Sequence, residues 1–373
     1  MKKLLLGIAA VCLAGFTFAQ DAPLWMRHSV ISPDGTTIAF TYKGDIYTVP
    51  VAGGRAMQIT TNPAYDTAPV WSPDSKRIAF ASDRMGSLDV YIVAKDGGEP
   101  RRLTTHSGSE TPLAFTDAGH VLFSAGIMPS AEAVVFPSNG QFNQVYRVSV
   151  EGGRPTMISS MPMECISINK EGAMLYQDKK GYEDYWRKHH VSPIARDIWM
   201  YTPGKEPQYR QLTTFGGEDR EPVWAPDGKT FYYLSEENGS FNIYRRTPGD
   251  AKAVQLTHYT KNPVRYLSAA TDGRLCYGFD GEIYTLLPGG EAQKVNISIV
   301  SDRNDKDIIR QIKSSGATEM AVSPDGKEVA FVLRGDVYVT SVEYKTTKQI
   351  TNTPCQERTV DFAPDGRLSL IHI

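Results

Sequence analysis

The stretch Gly181-Tyr182-Glu183-Asp184-Tyr185-Trp186-Arg187-Lys188-His189-His190 gathers aromatic, cationic, carboxylate and imidazole side chains in one place. Tyr182 and Trp186 are four residues apart, as are Glu183 and Arg187, the spacing at which side chains meet across one helical turn. Tyr182, Trp186, Arg187, His189 and His190 are therefore the candidate contact residues, a cationic and aromatic lip able to hold a peptide or a neighbouring domain. The plainer account is the default: a loop pinned by its aromatics, with the arginine and the histidine pair in solvent. A metal site built from Glu183, Asp184, His189 and His190 is disfavoured, because adjacent histidines diverge and no third spaced ligand follows.

Other chemistry is scarce. No Gly-x-Ser-x-Gly nucleophile motif occurs, and no histidine is paired in sequence with a serine and an acid. No catalytic residue, metal ligand or cofactor is assigned. Arg101-Arg102 reads as a solvated edge pair, since charges protect strand edges from further pairing. The many aspartates of the turns read as backbone caps. Cys165, Cys276 and Cys355 lie far apart without metal spacing and read as separate thiols. A net charge of -2 with mixed signs along the chain excludes a nucleic-acid footprint.

What must position these residues is a repeat. Ser32-Pro33-Asp34-Gly35, Ser72-Pro73-Asp74-Ser75, Ala225-Pro226-Asp227-Gly228, Ser323-Pro324-Asp325-Gly326 and Ala363-Pro364-Asp365-Gly366 are copies of one turn. Eroded copies stand at Thr116-Asp117-Ala118-Gly119, Asn169-Lys170-Glu171-Gly172 and Ala270-Thr271-Asp272-Gly273. Each turn is flanked by strand signals. The third strand recurs as Asp45-Ile46-Tyr47, Asp197-Ile198-Trp199 and Asn242-Ile243-Tyr244, and the fourth ends as Gln58-Ile59-Thr60, Gln211-Leu212-Thr213 and Gln255-Leu256-Thr257. Four strands per unit at a period of roughly 40 to 55 residues predict an all-β fold, a six-bladed β-propeller of four-stranded blades. The truncated start of a second β-propeller is expected to follow it. Every blade of the first ring holds its strands contiguously, which predicts closure by side-chain packing without strand exchange.

The expected organisation is a signal peptide over 1–19, a propeller over 20–297, a linker over 298–316 and the opening of a second ring over 317–367. Lys2-Lys3, the apolar run from Leu4 to Phe16 and the small-residue site ending at Ala19 predict cleavage and export, with the bacterial periplasm as destination. Leu368 to Ile373 resembles the translation of a transposon end used for sequencing libraries; the alternative is a genuine strand. The chain is expected to be a fragment. Insertions at Ile127 to Phe142 and Lys179 to Ala195 should project from one rim.

The units from Trp71-Ser72-Pro73-Asp74 to Leu103-Thr104 and from Trp224-Ala225-Pro226-Asp227 to Leu256-Thr257 resemble TolB-like propeller repeats. Six such units directly after a leader, then a linker and a restart, resemble the N-terminal region of tricorn-type serine proteases. That resemblance implies a six-bladed ring before a seven-bladed one, with PDZ-like and catalytic domains beyond. It implies peptides or unfolded polypeptide as substrate, filtered by the propellers, and is compatible with a homo-oligomer; none of the family's catalytic residues can be matched to a position here. Two alternatives remain: a TolB-like periplasmic binding module without activity, and the propeller of a prolyl-oligopeptidase-type hydrolase. A full TolB would need a small α/β domain before the ring, and an oligopeptidase a single continuous ring.

Overall fold

The computed structural model describes residues 23–126, 143–181, 191–300, 312–344, 346–351, 353–365 and the backbone of 369–372. The candidate contact residues Tyr182, Trp186, Arg187, His189 and His190 lie outside the described residues, as do the leader and the insertion at 127–142. Among the described residues every regular element is a β-strand, and the chain divides into two compact units, 1–300 and 301–373.

Each repeat of the first unit folds into one four-stranded antiparallel sheet in chain order, sheet one alone passing over the short strand Gly54–Arg55. Sheet two runs Asp66–Trp71, Arg77–Ser82, Asp89–Ala94 and Arg101–Arg102. Its first turn is set locally: the Asp74 carboxylate accepts from Ser72 Oγ at 2.5 Å and from the Lys76 amide at 3.1 Å. Asp34 and Asp227 cap their turns in the same way, through the amides of Thr36 at 3.0 Å and Lys229 at 2.9 Å. The recurrent tyrosine of the third strand stacks on an aromatic of the second, as in Phe40–Tyr47, Phe80–Tyr91 and Phe123–Tyr146 with centroids 5.8, 5.9 and 5.7 Å apart. The recurrent threonine of the fourth strand reaches back to the third. Thr60, Thr104, Thr213 and Thr257 accept from the amides of Ile46, Val90, Ile198 and Ile243, each at 2.9 Å. A hydroxyl thus satisfies a buried N–H that the short edge strand leaves unpaired.

Among the described residues the first unit holds six such sheets. Their first strands are Arg27–Ile31, Asp66–Trp71, Glu110–Asp117, Met163–Ile168, Asp219–Trp224 and Arg265–Ala269. Each touches the next, and the last touches the first, an arrangement of propeller type. The ladder slips within every one of them. His28, Ala68, Cys165, Glu221 and Tyr266 take left-handed backbone at the slip, the geometry by which a bulge re-aims a side chain. The core lies between sheets. Ile46 of sheet one packs with Ile78 and Phe80 of sheet two, and Met26, Ile38 and Phe40 of sheet one pack with Cys276, Ile283 and Val295 from sheet six. Each large side chain buried this way contributes about 1.5–3 kcal/mol, which a lone sheet could not recover.

Closure needs one amendment to the expectation of packing alone. The amide of Ile31 donates to Ser268 Oγ at 3.1 Å and that of Thr271 to the Pro33 carbonyl at 2.9 Å. In addition Ile297–Ser298 forms a parallel ladder with Gly54–Arg55, so main-chain pairing also joins the end of this unit to its start. The ladder requires glycine beside it: Gly53 has φ 87°, and a Cβ there would sit 2.5 Å from the Asn296 carbonyl oxygen.

The second unit holds one four-stranded sheet, Ala317–Val322, Glu328–Leu333, Asp336–Ser341 and Thr347–Gln349, and a pair of strands, Arg358–Phe362 and Ser369–His372. Ala330, Val332, Val337 and Val360 form its core. Met320 and Val322 remain 70% and 54% exposed.

Candidate functional site

The insertion carrying Tyr182 to His190 springs from the second and third strands of sheet four, and its two described feet are clamped by charge. Lys180 Nζ donates to the Ala195 carbonyl at 2.8 Å and to Asp197 Oδ2 at 2.5 Å, while the Asp197 amide donates to Asp178 Oδ1 at 2.8 Å. Next to them Arg196 bridges two sheets. Its Nε reaches Glu164 Oε2 at 3.1 Å, and its Nη1 reaches the fully buried Glu218 Oε1 at 2.7 Å. Glu218 also pairs with the buried Arg220, whose guanidinium lies 5.1 Å from the Phe241 ring centroid.

The network continues along the inner strands. Gln177 donates to Glu164 Oε2 at 2.9 Å and accepts from the Glu221 amide at 2.9 Å, and Glu221 Oε2 accepts from the Leu267 amide of sheet six at 2.8 Å. Burial by itself would raise the Glu164 carboxyl; Arg196, Gln177 and Lys179 outweigh it and hold the group below the ordinary carboxylate range. Cys165 keeps solvent contact yet is hemmed in by protein. That enclosure, with Glu221 and Glu164 beside it, pushes the thiol well above its usual value, so it stays protonated and a poor nucleophile.

A cleft of about 480 Å³ opens where the ring closes, lined among others by Trp25, Met26, Arg27, Tyr266, Phe279 and Asp280. Trp25 is 70% exposed there. His28 sits behind it, 3.1 Å from Thr67 Oγ1 on one side and 4.9 Å from the Tyr266 ring on the other. Burial, and then the charge of Arg27, lower its pKa to about 4, which leaves the imidazole neutral at physiological pH. It links three sheets as a neutral hydrogen-bonding ring.

Of the pair Arg101-Arg102, Arg101 is exposed as expected of a solvated edge, whereas Arg102 turns to a buried carboxylate. Arg101 Nη1 reaches Glu151 of sheet three at 2.7 Å, and Arg102 Nη2 lies 2.8 Å from Asp89, whose side chain is fully buried. The first contact joins sheets two and three, and the second lies within sheet two. Cys165, Cys276 and Cys355 are free thiols, with Cys276 buried in the core. Among the described residues no group of three His, Cys, Asp or Glu is placed to hold a metal. Sequence reasoning passed over Glu164, Gln177, Arg196, Glu218 and Arg220. Their signal was the charged run Glu218-Asp219-Arg220-Glu221 at a strand start, where sheet two has Asp66-Thr67-Ala68. The described residues thus form a cycle of sheets with polar inner strands, a cleft at its closure and two charge-clamped feet at Lys180 and Arg196.

Comparison with known proteins places this architecture. The family model of the tricorn protease N-terminal beta propeller domain matches residues 23–292. The chain is 26% identical over 289 residues to a tricorn protease homolog of Streptomyces coelicolor, covering 76% of this chain and 26% of that protein. It is 25% identical over 363 residues to the tricorn protease of Thermoplasma acidophilum, covering 94% of this chain and 32% of that one. The chain therefore spans between about a quarter and a third of the curated relatives' length. A crystal structure of the tricorn protease superposes with a TM-score of 0.63 at 19% identity, covering 91% of this chain and 32% of that chain. The match over 23–292, on a cycle of four-stranded sheets, means that the chain belongs to the tricorn protease N-terminal β-propeller domain family.

Proposed function

We propose that this chain is the non-catalytic propeller region of an exported tricorn-like serine peptidase, and that it guides peptides to catalytic domains borne elsewhere on the parent polypeptide. The family match over residues 23–292 carries the reading. In it, residues 20–297 make a six-bladed ring, 298–316 a linker, and 317–367 the opening of a second ring. The leader is removed near Ala19 and the ring works in the periplasm. Tyr182, Trp186, Arg187, His189 and His190 contact the passing peptide or the neighbouring domain from the rim, and the clamped feet at Lys180 and Arg196 hold that rim in place. Selection is steric and electrostatic; bond cleavage belongs to the parent's own serine centre, reached past a PDZ-like domain. Self-association of the parent fits the same scheme.

The test uses the gene read past the codon for Arg367 and the encoded parent protein. The parent should hydrolyse peptides. Replacing 182–190 by a short Gly-Ser linker should raise KM for long peptides about three- to tenfold with kcat held, the mark of lost uniform binding. A gene encoding no protease domain, or a parent whose KM ignores that replacement, refutes the corresponding half of the reading.

A further inference from the structure

Sheets two and five carry the same polar frame at the mouth of their first ladder, but only sheet two carries the cation that completes it. Asp66 pairs with Ser82 across the ladder of sheet two, and Asp219 with Ser235 across that of sheet five. In sheet two Arg84, two residues past the serine, fills the frame. Its Nη2 lies 2.7 Å from Asp66 Oδ2 and its Nε donates to Ser82 Oγ at 2.9 Å. Its guanidinium carbon stands 5.4 and 5.0 Å from the ring centroids of Phe80 and Tyr91.

In sheet five the aromatic platform is kept as Tyr233 and Tyr244, 5.9 Å apart. The residue two past the serine is now a carboxylate, Glu237. A crevice of about 420 Å³ opens at this point, lined by Thr213, Asp219, Tyr233, Ser235, Glu237 and Arg246 among others. Asp219 is 2% exposed, and its Oδ1 is a buried oxygen without a hydrogen-bond partner. Burial lifts its carboxyl to about 7, against the hydroxyls of Ser235 and Thr213 that lean on it. Two of the neighbouring cations, Arg246 and Lys180, are committed elsewhere, and a third, Lys252, lines the crevice. Arg246 donates to the Leu212 carbonyl at 2.8 Å and to the Asp250 carbonyl at 2.9 and 2.6 Å, and Lys180 to Asp197.

We propose that this crevice binds an alkyl guanidinium, the group an arginine side chain carries, seated on Asp219 and Ser235 over Tyr233 with Glu237 as a second carboxylate. The planar fork suits the two acceptors and the ring face together, which an ammonium does not. The ligand is either a free guanidinium compound or an arginine within a polypeptide. The site does not depend on the peptidase reading: a chain whose gene encodes no protease would still bind.

The test is calorimetric titration of the whole chain at pH 8 with Nα-acetylarginine amide. Saturable binding with a Kd of about 1 mM or tighter is expected. The citrulline analogue, equal in shape but uncharged, should bind about tenfold more weakly or not at all, and so should the arginine amide to Asp219→Asn. Glu237→Arg restores the cation of sheet two in place; it should abolish binding and raise the thermal midpoint by about 2–4 °C. That variant keeps the test decisive if Asp219→Asn does not fold. A capped Gly-Arg-Gly peptide binding more tightly than the arginine amide upholds the site with polypeptide as its source, and equal affinity upholds it with the free compound. No saturation by about 10 mM amide, equal binding of citrulline, or unchanged affinity in Glu237→Arg overturns the proposal.

Discussion

At the scale of single residues, the first unit rests on charges that water does not reach. Glu218 is fully buried between Arg196 and Arg220. Removing its charge takes from two buried guanidinium groups the carboxylate they share, so Glu218→Gln should lower unfolding free energy by about 3 kcal/mol. The exposed pair Arg274–Asp272 makes the contrast, and Asp272→Asn should change stability by no more than about 0.5 kcal/mol in urea titration. If the two variants behave alike, the buried network contributes nothing special. His28 adds a pH signature. Its folded pKa of about 4 lies below the ordinary 6.5, so the unfolded chain binds the extra proton between those values. Stability from this group is whole above pH 6.5 and drains away as pH falls toward 4. Glu110, raised by burial to about 7, has the opposite sign, since its buried charge is relieved as pH falls from 7 toward 4.5. His28→Gln should therefore flatten the decline in thermal midpoint below pH 6.5, whereas Glu110→Gln should gain most over the native chain at pH 8. Parallel profiles for all three proteins would rule the assignment out.

At the scale of elements, the repeat was legible because its determinants are local. Asp74 caps a turn within two residues, Tyr91 stacks on the adjacent strand, and Thr104 reaches an amide fourteen positions back. Those contacts leave a mark at fixed spacing. The candidate site was far less legible. Glu221 meets Leu267, and Arg196 meets Glu218, across sheet boundaries that no spacing encodes. The left-handed residues of the inner strands, His28, Cys165, Glu221 and Tyr266, share a position but no residue type. The Gly54–Arg55 to Ile297–Ser298 ladder is only two residues long and leaves no pattern to find. Its test is Gly53→Ala. With a Cβ forced against the Asn296 carbonyl and a left-handed backbone, the ladder must part, and amides such as Ala56, which donates to Ser298, should lose hydrogen-exchange protection ahead of the rest. Uniform exchange across the unit would mean that the ladder does not hold the closure.

At the scale of the whole molecule, the two units differ in how they cover their apolar surface. In the first, every large cluster lies between neighbouring sheets. In the second, Met320, Val322 and Ile350 stay open at 70%, 54% and 47%. An environment-sensitive dye should bind the intact chain, and protease trimming that leaves 1–300 should remove most of that signal; dye binding that persists on the trimmed unit would place the exposed surface elsewhere. The closing contacts also set a timetable during synthesis. Met26, Ile38 and Phe40 find their cover on Cys276, Ile283 and Val295, and the Gly54 edge waits for Ile297. A ribosome must therefore deliver nearly three hundred residues before the earliest-made strands are sealed. Until then the nascent polypeptide carries an open flank, a standing demand for a holding chaperone.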